Sequence, residues 1–310
     1  MAQLPIVLSS LRDVHEWRRS LPAGKSRVGF VPTMGALHEG HATLLRKIRP
    51  RCEISVLSIF VNPTQFGPNE DLSKYPRTWE ADLAIAAREG VDVVFAPAPE
   101  MIYPAGYSTY VEETLLSQRL CGSSRPGHFR GVTTVVLKLF NLIQPELALF
   151  GLKDAQQYFV LHKMVQDLHL NVRVEGVPTV RETDGLAMSS RNVYLSATER
   201  EIAPRFYREL QACAGSLLGD QPAPDGRGHL LLNPVSAAEA LTAATESLST
   251  AGFQVQYLEC LELPDLRAIG SSGLDKDRSY LLAGACYLGK TRLIDNIILR
   301  PDSLESRISG

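Results

Sequence analysis

The stretch Pro32-Thr33-Met34-Gly35-Ala36-Leu37-His38-Glu39-Gly40-His41 sets two glycines and two imidazoles at one junction. There the short apolar run Val28 to Val31 hands over to the helix-compatible stretch Ala42 to Ile48. Backbone N–H groups in the first turn of a helix lack intrahelical acceptors, and the macrodipole favours negative charge, so a phosphate suits the place. The histidines can add donors to it. Their i, i+3 spacing brings both side chains toward one side of the first turn if the helix begins early enough. The plainer alternative is that Gly35 and Gly40 only shape the turn while the histidines cap the helix or face solvent. A zinc site is disfavoured, because the metalloprotease helix is H-E-x-x-H and this segment reads H-E-G-H.

The elements that must position this junction alternate between strand and helix. Val28 to Val31, Ile54 to Val61, Val91 to Phe95, Leu147 to Phe150 and Val172 to Val177 read as five apolar, β-branched strands. Ala42 to Ile48, Ala81 to Ala87, Thr133 to Ile143 and Asp154 to Leu168 read as the helices between them. That order predicts an α/β fold, a Rossmann-like doubly wound parallel sheet. After about residue 180 the pattern changes. Ser196-x-x-Glu199 is a capping box opening a helix through Leu218, a Pro/Gly-rich loop follows from Gly219 to Pro234, and a second helix starts near Ser236. Strand-like runs at Phe253 to Leu263, Tyr280 to Leu288 and Leu293 to Leu299 then predict a smaller C-terminal α+β domain. The expected division is 1–179 for the nucleotide- and substrate-binding domain and 180–310 for the smaller domain, which closes over the active site.

Composition narrows the classes. The 310 residues suffice for two domains, and 45% hydrophobic with 21% charged residues is ordinary globular composition. A net charge of -2 leaves no electrostatic excess for a nucleic-acid backbone. Cys52, Cys121, Cys213, Cys260 and Cys286 form no C-x-x-C pair and read as reduced thiols of a cytoplasmic protein. The N-terminus is a poor secretory signal, and no run approaches the ~18 apolar residues of a membrane span.

The H-x-G-H element resembles the signature of the nucleotidylyl-transferase superfamily, and its surroundings are similar to the pantothenate synthetase (pantoate–β-alanine ligase) family. Four further segments carry the likeness in the same order: S-I-F-V-N-P-T-Q-F (58–66), R-P-G-H-F-R-G-V (125–132), F-G-L-K-D-A-Q-Q (150–157) and R-E-T-D-G-L-A-M-S-S-R-N (181–192). T-R-L-I-D-N near the end is similar too. The resemblance implies an AMP-forming ligase. ATP activates pantoate as an acyl-adenylate, and β-alanine then displaces AMP to form a C–N bond.

The same resemblance implies the site. His41, His38 and Lys153 are the expected catalytic residues. Met34, Gly35, Ala36, Leu37, His38, Glu39, Gly40 and His41 line ATP, joined by Gly151, Leu152, Lys153 and Asp154, by Val180 through its backbone, and by Met188, Ser189, Ser190 and Arg191. Gln65 and Gln157 match pantoate positions, with Gln65 also meeting β-alanine, and Asn62 is similar to another active-site position. Amides suit the task because they donate to a carboxylate and accept from a hydroxyl. M-S-S-R stands where related enzymes carry K-M-S-K-S, as a hinge over the phosphates; a polar turn is the alternative. Phe66 to Arg77 reads as a flap. Mg²⁺ is expected with ATP, its protein ligands unknown and Asp82 a candidate, and a homodimer is implied. Leu152 departs from the polar residue usual in F-G-x-K-D. The competing readings are another nucleotidylyl transferase of the superfamily and a non-catalytic nucleotide-binding regulator.

Overall fold

The structure is a computed structural model that describes residues 4–22, 27–68, 70–218, 234–269, 274–275 and 277–300. Two compact units emerge, one from the residues up to Leu152 together with Gln156–Val177, the other from Lys153–Ala155 and the residues from Pro178 on. In chain order the first carries β1 (Ile6–Leu8), α1 (Leu11–Ser20), β2 (Val28–Thr33), α2 (Glu39–Ile48), β3 (Ile54–Ile59), α3 (Trp79–Arg88) and β4 (Val93–Phe95). It continues through the short helices α4 (Pro99–Ile102) and α5 (Cys121–Ser124), then α6 (His128–Ile143), β5 (Leu147–Gly151), α7 (Ala155–Asp167) and β6 (Arg173–Val177).

The six strands form one parallel sheet in the order β1-β4-β3-β2-β5-β6. Alternation along each strand fills two cores at once. Phe30, Val56, Val93, Phe95, Ala148 and Phe150 face one side, where α6 brings Val132, Val136 and Phe140. Val31, Leu57, Val94, Leu147 and Leu149 face the other, against Leu44, Leu45 and Ile48 of α2. With successive side chains pointing to opposite faces, a strand covered on both sides must be apolar throughout, which is the doubly wound arrangement. Chain order reverses at β2, whose neighbours are β3 and β5, so the loops leaving β2 and β5 flank a topological switch point, where open α/β sheets bind ligands.

The sheet has one strand more than the five expected. β1 spans three residues, pairs only with β4 at the sheet edge, and exposes Ile6 and Val7, so it shows neither the length nor the patterning of a buried strand. Helix α1 was also not anticipated; Ser10 caps it and Asp13 returns the bond in a capping box.

The second unit contains α8 (Ala197–Ile202), α9 (Arg205–Leu218), α10 (Pro234–Thr250) and an antiparallel sheet of β7 (Phe253–Glu262), β8 (Arg267–Ala268), β9 (Tyr280–Leu288) and β10 (Thr291–Leu299), ordered β10-β9-β7-β8. Leu210, Cys213, Ala214 and Leu217 form a helical stripe on α9 that packs into the core with Phe253, Leu282, Cys286 and Ile297. The Ser196–Glu199 capping box is present, but the helix it opens ends at Ile202 and a separate helix begins at Arg205. Pro204 accounts for the break, because it lacks an N–H and its ring collides with the carbonyl four residues earlier. Residues 219–233 of the expected loop lie outside the described residues, and Pro234 opens α10. All five cysteines are free and buried. Among the described residues no helix is long and apolar enough to cross a membrane. The fold is a Rossmann-like doubly wound sheet with a smaller C-terminal α+β unit.

Candidate active site

The loop from β2 to α2 is held from three sides. Thr33 donates its hydroxyl to the Ser58 carbonyl at 2.7 Å and accepts the Gly35 N–H at 3.2 Å. Gly35 and Ala36 follow with φ of 79° and 50°, two consecutive left-handed residues, of which only the glycine adopts that region freely. From α3, buried Asp82 accepts the N–H of Ala36 at 3.0 Å and of Leu37 at 2.8 Å. Asp82 therefore faces loop amides, not an open position for a cation. Among the described residues no group of three or more His, Cys, Asp or Glu could hold a metal ion.

His38 is the N-cap of α2. Its Nδ1 accepts the Gly40 N–H at 3.1 Å, and the His41 Nδ1 accepts the His38 N–H at 3.3 Å. A ring nitrogen that accepts from an N–H carries no proton, so this network assigns both imidazoles the tautomer protonated on Nε2. The rings lie 4.1 Å apart between centroids. Two neighbouring Nε2–H donors result. This differs from a helix start whose backbone amides await a phosphate: the amides of Ala36, Leu37, His38 and Gly40 already have side-chain acceptors, which a sequence without coordinates could not reveal. The Glu39 carboxylate, meanwhile, pairs with Arg46 on the exposed side of α2.

After β3, Asn62–Gln65 forms a tight turn beside this loop. The Asn62 Nδ2 donates to Gln65 Oε1 at 2.9 Å and to the Gly131 carbonyl at 3.1 Å. With its oxygen occupied, the Gln65 amide directs Nε2 toward the Met34 Sδ at 3.3 Å. The Tyr103 hydroxyl donates to Asn62 Oδ1 at 2.8 Å, and burial pushes its pKa up to about 12, so it remains a donor. Gly131 of α6 permits the close approach, since a Cβ there would stand 2.5 Å from the Thr64 carbonyl oxygen.

The Gln65 carbonyl accepts from His128 Nδ1 at 2.8 Å and from Arg125 at 3.3 Å. Arg125 also grips Glu70 with two bonds of 2.6 and 2.5 Å. Burial opposes ionisation of Glu70, but the guanidinium outweighs it and holds the carboxyl below the ordinary value. The segment after Gln65 is thus tethered at Glu70 and again at Tyr75, which is buried and packs edge-on against Phe66.

Gly151 ends β5, and the Leu152 side chain lies over Gly176 of β6, where an added Cβ would meet it at 2.5 Å. The departure at Leu152 is therefore accommodated by packing within the sheet. Gln157 is half-buried on α7. Its neighbour Gln156, which sequence reasoning passed over, is buried and fixes the chain before α6 through the Cys121 N–H and the Leu116 and Arg119 carbonyls.

The remaining residues expected from the sequence belong to the second unit. Residues 180–188 turn back on themselves: the Val180 carbonyl accepts the Met188 N–H at 3.0 Å, Arg181 bridges Ala187, and Gly185 makes the turn at φ 96°. Val180 thus uses its carbonyl inside the hairpin. Ser189 caps a 3-10 helix over Ser190–Tyr194, accepting the Arg191 N–H at 3.3 Å. Arg181, under the Tyr207 ring, is held bidentately by Asp295 at 2.7 and 2.9 Å, and Asn296 donates to the Lys153 carbonyl at 2.9 Å. The T-R-L-I-D-N segment is therefore the strand that anchors both Lys153, with Asp154 beside it, and the hairpin before Met188.

Comparison with known proteins agrees with these motifs. The family described as Pantoate-beta-alanine ligase matches residues 6–298. The pantothenate synthetase of Carboxydothermus hydrogenoformans is 48% identical over 276 residues, 89% of this chain and 92% of the relative. Among solved structures, pantothenate synthetase from Thermus thermophilus superposes with a TM-score of 0.81 at 43% identity, covering 96% of this chain and 99% of that one. Pantoate-beta-alanine ligase from Francisella tularensis, solved with β-γ ATP and β-alanine, gives 0.76 at 34% identity, covering 96% and 98%. With the family match over residues 6–298, identities of 34–48% and near-complete coverage in agreement, the chain belongs to the pantoate-beta-alanine ligase family.

Proposed function

We propose that this protein condenses pantoate with β-alanine to form pantothenate, consuming ATP and releasing AMP and pyrophosphate. The observation that carries the reading is the reciprocal His38–His41 cap, which orients two Nε2–H donors from the first turn of α2 at the switch point of the sheet. Family membership over nearly the whole chain supports the substrate assignment, and a relative solved with an ATP analogue and β-alanine supports two of the three substrates.

The chemistry follows from leaving groups. A carboxylate would have to expel oxide, whereas an acyl-adenylate expels a phosphate monoester. In the first step a pantoate carboxylate oxygen bonds the α-phosphorus while the α–β bridging bond breaks and pyrophosphate departs. Charge grows on the triphosphate oxygens, so positioned donors stabilise the transition state. His41 and His38 are assigned to that role, with Lys153 as a further cation. Met34–His41, Gly151–Asp154, Val180 and Met188–Arg191 are assigned to ATP. In the second step the β-alanine amine bonds the carbonyl carbon, the bond to the adenylate oxygen breaks, and the amine proton passes to solvent.

Gln65, its oxygen held by Asn62, offers N–H to the acceptor oxygens of pantoate, and Gln157 is assigned to the same substrate. Mg²⁺ is part of the proposal as the counter-ion that ATP would bring, where it would offset phosphate charge without a ligand assigned to this chain. A cytoplasmic homodimer is part of the same proposal, and sedimentation tests the dimer. Supplying ATP, Mg²⁺, pantoate and β-alanine should yield AMP only when both organic substrates are present. Nucleotide binding without turnover under any substrate combination refutes the reading in favour of a regulator. Nucleotide transfer to a phosphorylated substrate without β-alanine refutes it in favour of another transferase.

A further inference from the structure

Asp82 is only 1% exposed, yet it lies in no substrate-binding motif of the sequence. Burying a carboxylate is unfavourable unless donors surround it. Here the donors are specific: Ala36 N–H on Oδ2, Leu37 N–H and the Thr78 hydroxyl on Oδ1, the last at 3.0 Å. Among the described residues no ion pair meets its charge. The amides it holds belong to the left-handed turn at Gly35 and Ala36, a conformation disfavoured for alanine. The turn also fits around the carboxylate, because a Cβ on Gly35 would come within 2.9 Å of Oδ2. Leu37 immediately precedes His38, the cap whose ring position depends on this turn.

We propose that Asp82 is a positioning residue. Its carboxylate clamps the amides of Ala36 and Leu37, forces the left-handed turn, and so sets where His38 and His41 present their Nε2–H donors to the nucleotide. The catalytic consequence rests on the ATP-dependent ligase reading above. Asp82 thereby keeps two amides away from the phosphates and leaves that contact to the imidazoles. A carboxylate is required, since an amide in its place offers one acceptor and turns an NH₂ toward an N–H.

The experiment compares the wild type with Asp82→Asn, Asp82→Ala and the milder Thr78→Val. Steady-state AMP formation is followed while ATP, β-alanine and Mg²⁺ are each varied, and folding is checked by circular dichroism. Folded Asp82→Asn should lose about 10²-fold in kcat/KM for ATP, the scale of a small misplacement of catalytic groups. The KM for β-alanine and the half-saturating Mg²⁺ should not move. Wild-type kinetics in the folded variant overturn the proposal, and so does recovery of activity by excess Mg²⁺ or Mn²⁺, which would make Asp82 a metal ligand. If Asp82→Asn does not fold, Thr78→Val and amide exchange decide. In the nucleotide-free wild type the Ala36 and Leu37 amides should exchange slowly, and fast exchange at either overturns the clamp. Failure of the wild type to form AMP refutes the ligase reading alone, because the exchange measurement still reports on the clamp.

Discussion

Gly131→Ala tests whether the Asn62–Gln65 turn depends on contact with α6. The added Cβ would stand 2.5 Å from the Thr64 carbonyl oxygen, 2.6 Å from its carbon and 2.8 Å from the Gln65 nitrogen. All three are backbone atoms, so no rotamer change relieves the overlap, and the turn or the helix must move by about 0.9 Å to restore an ordinary carbon–oxygen contact. That movement stretches the 3.1 Å bond from Asn62 to the Gly131 carbonyl beyond hydrogen-bonding range and releases the amide that orients Gln65. Overpacking of this kind costs about 1–3 kcal/mol. For a unit of this size the expected fall in Tm is roughly 2–10 °C. The kinetic loss should appear in kcat/KM for pantoate, approaching about 10²-fold, because the displaced groups are the ones assigned to that substrate. Thermal unfolding and initial rates at varied pantoate measure both effects. A variant with unchanged Tm and unchanged pantoate kinetics would show that the close approach matters neither to stability nor to the site.

Three further expectations concern other parts of the site. His41→Ala should slow pantoate-dependent exchange of pyrophosphate into ATP by about 10²–10³-fold, the usual effect of removing one transition-state donor; a wild-type exchange rate removes His41 from the first step. Asp295→Ala strands the Arg181 guanidinium among groups that exclude water, and urea unfolding should register a loss of about 3–5 kcal/mol in the second unit. An unchanged unfolding midpoint contradicts that. The Glu70–Arg125 tether is acid-labile. Because Glu70 titrates below its ordinary 4.5 in the folded chain, its contribution to stability is complete above that pH and is lost as pH falls through the lower folded value. Glu70→Gln should flatten the stability profile in that acid window, and a profile parallel to the wild type's would show the tether to be inert.

Much of the architecture was legible in the chain. Five of the six parallel strands are short apolar runs bounded by turn residues, since strands covered on both faces cannot tolerate polar positions. The capping box at Ser196 and Glu199 was equally plain because its chemistry is local. The strand β1 was not, because its hold on the sheet comes from pairing with Val93–Phe95, 87 residues away along the chain. Pro204 carries the signal for the break after Ile202, whereas the capping box marks only where that helix starts.

Local chemistry and motif order determined the chain's family and its reaction class, along with the candidate residues from Met34 to His41 and from Asn62 to Arg191. Tertiary structure alone decided how those residues are aimed. The tautomers of His38 and His41, the Asp82 clamp on Ala36 and Leu37, the Asn62 hold on Gln65, and the anchoring of Lys153 and Arg181 by Asn296 and Asp295 are all hydrogen bonds of defined direction. The Asp82 clamp and the Asn296 and Asp295 anchors join residues 45 to 143 positions apart, whereas the His38–His41 cap and the Asn62–Gln65 bond are local and span two or three positions. Donor and acceptor types can be read from residue identity, but which donor meets which acceptor is set only when the packed core brings distant segments within about 3 Å.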